Sequence, residues 1–418
     1  MHLKVILNRI EKQSGFVYER FKLYEREGQL VLEIGIRARE NTRAVCSGCG
    51  QRRPGYDRLP RRRFEFIPFW GILVFFVYAL RRVNCPECGV KVERVPWAEG
   101  KSPVTTRYAW FLARWTKRLS WQDVAEVFHT SWDNVVRSVK MAVAWGKEHR
   151  SLEGIGAIGI DEISRGKGQR YATLVYQIDA GARRLLWVGK DHTAKTLLRF
   201  FRWFGKERSA ELGFVCSDMW KPYLRVVARK AAQAVHVLDR FHIMSHMSKA
   251  IDQVRAQEVK ALKAKGKAPV LTHSRWCLLK RPENLTDKQE VKLKELLGYN
   301  LKTVRAYLLK EDFQWFWHYV SPAWAGKFLE GWCKRAMRSR IEPMKKVAKM
   351  LRGHQDLLLN WFVAKQALLS LGVVEGFNNK ARVVTKRAYG FRSYELLELA
   401  LYQTLGHLPE PKVSHEFF

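Results

Sequence analysis

Ile155-Gly156-Ala157-Ile158-Gly159-Ile160-Asp161-Glu162 decides how the chain is read. Small and β-branched apolar residues run without a break into two carboxylates. A run this short and dense predicts a buried strand. It places Asp161 at the strand's end, where the sheet stops and solvent or a ligand begins. Buried carboxylates are costly unless they are paired or bind a metal. A strand that delivers an acid to a sheet edge is therefore a candidate metal site.

Downstream, the same pattern recurs. Tyr171 to Ile178 and Arg184 to Val188 read as strands and Thr193 to Trp203 as a helix. Phe214-Val215-Cys216-Ser217-Asp218 is again an apolar strand ending in an acid, and Pro222 to Ala232 reads as the helix after it. Ala234 to Leu238 is a third such strand, followed by Asp239-Arg240-Phe241-His242. In an open α/β sheet, ligands sit at the edge where strands end. Asp161 and Asp218, on adjacent strands, can share two divalent cations, and hard oxygen donors suit Mg²⁺ or Mn²⁺. Such a pair serves phosphodiester chemistry. A third acid is wanted, and the helix predicted from Glu375 offers one: Glu375, Asn378, Asn379 and Arg382 fall on one polar face. Asn379, Lys380, Lys386 and Arg387 can hold phosphates.

Composition points to the substrate. The 418 residues carry Lys+Arg 75 against Asp+Glu 40, a net charge of +35. That excess calls for a polyanion, most simply nucleic acid. The basic residues interleave with Trp, Tyr and Phe, which suits phosphate contact and base stacking. The longest apolar run, Ile67 to Leu80, is too short to span a bilayer. No signal peptide opens the chain, so a cytoplasmic, nucleoid-associated protein without a membrane partner is expected.

Four of the seven cysteines form two CxxC-G knuckles, Cys46-Ser47-Gly48-Cys49-Gly50 and Cys85-Pro86-Glu87-Cys88-Gly89. Knuckles of this form aim two thiolates at one ion. The prediction is a structural Zn²⁺ held by Cys46, Cys49, Cys85 and Cys88 in a zinc ribbon with an inserted hairpin, surrounded by arginines that include Arg61, Arg62 and Arg63. A hairpin turned at Glu27-Gly28 precedes it. After it, Thr105 to Leu119 reads as a helix, Ser120 with Asp123 as the cap of a second, and Ser131 as the cap of a third. Helix, short turn, helix is a DNA-reading pattern. It puts Asn134, Arg137 and Lys140 on the exposed face. Residues 245–370 read as helical, basic and Trp-rich.

The stretches Gly-Ile-Asp-Glu-Ile-Ser, Cys-Ser-Asp-Met-Trp-Lys-Pro-Tyr and Glu-Gly-Phe-Asn-Asn-Lys resemble bacterial insertion-sequence transposases of the DDE class, most closely the ISL-three family. The resemblance covers essentially the whole length. It implies an RNase H-like core with Asp161, Asp218 and Glu375 as metal ligands and an all-helical insertion between the second Asp and the Glu. It also implies that His242, in a D-x-x-H signature, hydrogen-bonds a catalytic acid or the scissile phosphate. The expected fold class is multi-domain α+β and α/β. The expected division is a zinc-ribbon DNA-binding domain over 1–100, a helix-turn-helix over 101–150, a first part of the core over 151–244, a helical insertion over 245–370 and the last part of the core over 371–418. The expected function is binding of terminal inverted repeats, cleavage, and joining of the ends to target DNA with two Mg²⁺ or Mn²⁺ ions. Because two ends must meet, a homodimer or higher oligomer on double-stranded DNA is expected. A non-catalytic DNA-binding regulator and another RNase H-like nuclease are the competing readings.

Overall fold

The computed structural model describes residues 3–166, 170–266, 270–366, 373–387, 390–391 and 393–412. The chain divides into two units, one up to Ser151 together with residues from Val384, the other from Leu152 to Val383.

The first unit opens with α1 (Leu3–Ile10) and the hairpin β1 (Phe16–Arg26) to β2 (Gln29–Ala38). Both turn residues, Glu27 and Gly28, have positive φ, 54° and 75°. That is the two-residue turn whose twist matches the strands. Next come the short pair β3 (Ala44–Val45) and β4 (Arg52–Arg53), then β5 (Gly55–Phe69), β6 (Ile72–Cys85) and β7 (Gly89–Val92). The sheet order is β1-β2-β6-β5, with β7 also on β6. The hairpin between the knuckles is thus no excursion from a ribbon. It is built into the sheet, because β6 pairs on one side with β5 and on the other in parallel with β2. Val74, Phe76, Tyr78 and Leu80 alternate inward from β6, and Trp97 is ringed edge-on by Phe16, Phe64 and Tyr78. Each such aromatic contributes about 2 kcal/mol or more through burial alone.

Three helices follow, α2 (Thr106–Trp115), α3 (Trp121–Val127) and α4 (Trp132–His149). Thr105, Ser120 and Ser131 cap them, and Ser120 and Asp123 exchange both bonds of a capping box.

The second unit is organised on a five-stranded sheet of β8 (Ala157–Gly166), β9 (Arg170–Asp179), β10 (Ala182–Gly189), β11 (Phe214–Ser217) and β12 (Val235–Leu238), in the order β10-β9-β8-β11-β12. β8, β9 and β10 are successively antiparallel, while β11 is parallel to both β8 and β12. Four strands, β8, β10, β11 and β12, therefore run the same way. Interleaved are α5 (Ala194–Phe204), α6 (Lys206–Ala210) and α7 (Lys221–Lys230). Phe200 and Phe204 from α5 and Tyr223 and Val227 from α7 close over Ile158, Ile160 and Val215.

From β12 the chain enters α8 (Arg240–Ala264), which runs unbroken past residue 245. α9 (Arg275–Leu279), α10 (Asp287–Leu297), α11 (Lys302–Gln314), α12 (Pro322–Arg338), α13 (Glu342–Arg352) and α14 (Gln355–Gln366) complete a helical array. Its core, including Ile243, Met247, Phe313, Trp332, Met344 and Phe362, is continuous with Leu238 of the sheet. Trp317 and Trp332 are core residues, whereas Trp276, Trp315 and Trp324 stand exposed.

α15 (Val373–Arg387) carries Val374 onto β8. A Cβ placed on Gly159 would fall within Val374's side chain. Val374 and the other neighbour, Ile178, are β-branched and stiff, so neither yields easily. Gly159→Ala should cost about 1–3 kcal/mol by overpacking, read from urea unfolding, and should displace the start of α15. Finally, α16 (Tyr394–Leu405) returns to the first unit, where Glu395 pairs with Lys140 and Glu398 with Lys147, at 2.7 and 3.1 Å.

Candidate active site

β8 delivers Asp161, but not at its end: the strand continues to Gly166, held by β9 alone. Pairing with β11 stops at Gly159. Asp161 therefore sits where β8 loses one neighbour. It is 5% exposed. Its Oδ1 accepts from the Glu162 N–H at 2.7 Å, and its Oδ2 accepts from the Asn378 side-chain amide. Asn378 in turn accepts from the Tyr176 hydroxyl at 3.0 Å, and Phe377 stacks on the Tyr176 ring at 4.7 Å. The first turns of α15 are thus fixed against Asp161 on both sides of position 375. The Glu375 side chain lies outside the described residues.

Asp218 follows β11 directly and accepts from the Trp220 N–H at 3.1 Å. Asp239 follows β12 and caps α8, accepting from the Phe241 N–H at 2.8 Å. One turn on, His242 Nε2 lies 3.4 Å from Asp161 Oδ1. Beyond β10, His192 Nε2 lies 3.7 Å from Glu162 Oε1. The side chains group as Asp161, Asp239 and His242, and as Glu162, His192 and Asp218, each trio with one donor atom per residue within 4.8 Å of the others.

This much negative charge out of water is electrostatically tense. Burial, then the charges of Asp218 and Asp161, push the Glu162 carboxyl up to about 8. Burial also raises Asp218, against the pull of the Trp220 N–H and the two imidazoles. For His242, burial opposes charging, but the hydrogen bond to Asp161 and the surrounding acids prevail and push it up to about 9. Burial lowers His192, against the attraction of Asp218 and Asp161. A divalent cation relieves the same tension.

Behind the acids, Ser217 Oγ donates to the Asp218 carbonyl and lies 2.8 Å from His236 Nε2. Burial drives His236 down to about 4. The unfolded chain, with an ordinary imidazole near 6.5, then binds its proton first on acidification. The contribution of His236 is full above pH 6.5 and falls toward pH 4. Between pH 7 and pH 5 that contribution drops by about 2 kcal/mol. It should appear as the difference between the wild type and His236→Gln in urea midpoints at the two pH values.

In the first unit, the four knuckle cysteines also converge, with their sulfurs within 4.8 Å of one another and Cys49 Sγ 3.6 Å from Cys85 Sγ. Tetrahedral Zn²⁺ at about 2.3 Å from each sulfur sets them about 3.8 Å apart. Gly50 and Gly89 take positive φ, 74° and 70°, to make the knuckles, and a Cβ on Gly48 would strike Cys88 Sγ. Burial opposes ionisation of Cys85, but the Cys88 and Glu87 N–H groups and the neighbouring thiols lower it to about 6. The set fits a soft dication. Cys216, Cys277 and Cys333 are buried free thiols.

The expected DNA contacts fare unevenly. Asn134 is turned inward, 3% exposed, and its amide donates to Glu65 at 3.0 Å and Thr130 at 3.1 Å. That corrects its placement on the exposed face. Arg62 donates to the Ser102 carbonyl, and Arg63 pairs with Glu33 and lies over Phe75. Lys140 is exposed but paired with Glu395. Arg61, Arg137, Asn379, Lys380, Lys386 and Arg387 are exposed. His192 has no part in the sequence reading, in which Glu162 stands as the neighbour of Asp161 and Asn378 as one polar residue on the Glu375 helix. The available signal was positional: β10 runs with β8, so the residues after it reach the same edge.

An interrupted sheet with acids gathered at one edge, and a convergent cysteine set, define a class that the relatives confirm. The profile of a family described as Transposase, of the DDE class and ISL3 type, matches residues 158–401. The chain belongs to that family of insertion-sequence transposases, which are DNA-processing enzymes. It is 30% identical over 401 residues to the transposase for insertion sequence element IS1557 of Mycobacterium tuberculosis, covering 90% of this chain and 88% of that one. It is 29% identical over 361 residues to the transposase for insertion sequence element IS1001 of Bordetella parapertussis, covering 85% and 87%. Among the described residues, no helix is long and apolar enough to cross a membrane.

Proposed function

We propose that the protein binds the terminal inverted repeats of its element, cleaves there and joins the freed ends to target DNA, using two divalent cations. The observation that carries this is the convergence of Asp161, Asp218 and Asp239 at one edge of a sheet whose order and directions fit an RNase H-like core. Mg²⁺ or Mn²⁺, when bound, activates the attacking oxygen and stabilises the leaving one. Asp161, Asp218 and Glu375 would hold the ions. The buried setting of Asp161 keeps water few and the electrostatics strong.

The chain's own groups do the rest. His242, with Nε2 3.4 Å from Asp161 Oδ1, positions that carboxylate or hydrogen-bonds the scissile phosphate. Asn378 fixes Asp161 and the helix that bears Glu375 in one arrangement. Asn379 and Lys380 lie on the following turn and reach phosphates, as do Lys386 and Arg387 at the helix's end.

DNA recognition falls to the first unit. α3 and α4 serve as a helix-turn-helix, reading with Arg137 and Lys140, the latter exchanging Glu395 for phosphate. The knuckle cysteines hold structural Zn²⁺ in a ribbon-like lobe beside Arg61, whose phosphate contacts make binding salt-dependent.

The test is strand transfer of terminal-repeat DNA with Mg²⁺ or Mn²⁺. Joining should require the metal and be lost in Asp161→Ala and Glu375→Ala. Wild-type joining by both variants sinks the assignment. End-specific binding without nicking by the wild type points instead to a DNA-binding regulator.

A further inference from the structure

We propose that His192, Glu162 and Asp218 form a mixed nitrogen and oxygen cation site, which makes one of the two divalent positions selective for a transition-metal dication such as Mn²⁺ over Mg²⁺. This rests on the cation-dependent reading above and adds two ligands to it.

The donor geometry is close to complete. One donor atom from each residue lies within 4.8 Å of the other two, and Glu162 Oε1 is 3.7 Å from His192 Nε2. Octahedral ligands at about 2.1 Å from an ion lie about 3 Å apart when adjacent and about 4.2 Å apart when opposite. The 3.7 Å between Glu162 and His192 falls between these two spacings, and the other donor separations exceed the wider one by no more than about 0.6 Å. At 3.7 Å the imidazole and carboxylate are too far apart to hydrogen-bond each other.

The polar atoms facing this space are unspent. Glu162 Oε2 and His192 Nε2 are both buried and have no hydrogen-bond partner. Leaving a buried polar atom unpaired costs about 1–3 kcal/mol. In the other trio His242 Nε2 is likewise without a hydrogen-bond partner, but both carboxylates are engaged: Asp161 accepts from Glu162 N–H and Asn378, and Asp239 caps α8. A new ligand therefore meets the least competition beside Glu162.

The imidazole is also held in place. Its ring lies 4.0 Å from that of Trp220 and 4.9 Å from that of Tyr223. The Tyr223 hydroxyl meets Thr173 Oγ1 at 2.7 Å, and Thr173 donates to the Asp191 carbonyl at 2.7 Å, which fixes the backbone just before the ring. The N–H of the same Trp220 orients Asp218. Outer contacts of this kind orient metal ligands. Imidazole nitrogen suits first-row transition metals, whereas Mg²⁺ favours an all-oxygen set.

The test is Mn²⁺ titration of the full-length, Zn²⁺-saturated protein, followed by pulsed electron paramagnetic resonance. Bound Mn²⁺ should show coupling to an imidazole nitrogen. That coupling should vanish in His192→Ala and His192→Gln and persist in His242→Ala, and the His192 variants should bind Mn²⁺ about tenfold or more weakly. Nitrogen coupling that survives both His192 variants, or that disappears only in His242→Ala, overturns the proposal. If Mn²⁺ binds and is lost in Asp218→Asn yet shows no nitrogen coupling, the His192 assignment falls and the cation reading stands. If the wild type binds no Mn²⁺ outside the cysteines, both fall.

Discussion

Asp161→Asn should lower strand transfer by about 1000-fold or more, equivalent to about 4 kcal/mol in the transition state, with only a small change in stability. The two effects separate because asparagine keeps the shape and loses the charge. The carboxylate accepts at both oxygens, from the Glu162 N–H and from Asn378. An amide must present its own N–H₂ to one of those donors, so one hydrogen bond is lost, worth about 1 kcal/mol. Removing a negative charge beside Glu162 and Asp218 offsets part of that loss. The catalytic loss has no such offset, since a neutral amide oxygen is a far weaker ligand for a hard dication. Joining assays and thermal melts on one preparation test both parts. The rise in melting temperature that Mn²⁺ induces in the wild type should be smaller in the variant.

Cys85→Ser should have the other large effect, on the first unit's fold. The lobe around the knuckles has almost no apolar core of its own: Ala44, Cys46, Val83 and Cys85 are its buried residues. Such a core contributes only a few kcal/mol. Structural Zn²⁺ contributes about 10–16 kcal/mol in small zinc-binding peptides, so on the proposed reading the ion, and not packing, would set the local structure. Serine is a poor ligand at neutral pH because its hydroxyl stays protonated. Zinc content by mass spectrometry should fall from about one ion per chain to none. Protease cleavage should then appear within residues 44–53 or 85–94, and terminal-repeat binding should fail. Chelation of the wild type should reproduce all three. Intact, protease-resistant Cys85→Ser protein without zinc refutes the structural role.

The strands and their acids were legible because the apolar runs are dense and stop abruptly. So were the two tight turns and the helix caps, which depend on residues within four positions of each other. What the sequence hides depends on distant partners. Asn134 reads as exposed on the wheel of its own helix, and it turns inward only because Glu65, on a strand far up the chain, needs its amide. Glu162 follows Asp161 on a strand, and alternation sends neighbours to opposite faces. Yet β11 stops at Gly159, and both residues border the space it leaves. His192 has no motif around it. Its place follows only once β10 is known to run with β8 through an intervening antiparallel strand.

The junction at Asp239 constrains how this architecture can vary. One residue ends β12 and caps α8, so the helical array is spliced to the sheet without a linker. Each residue inserted ahead of Ile243 would rotate α8 by about 100°, swinging His242 away from Asp161 and carrying the array with it. The splice therefore has a phase as well as a position. Length changes that descendants of this sequence can tolerate belong in the array's distal loops, and exchange of whole arrays between relatives has to preserve the run from Asp239 to His242 residue for residue.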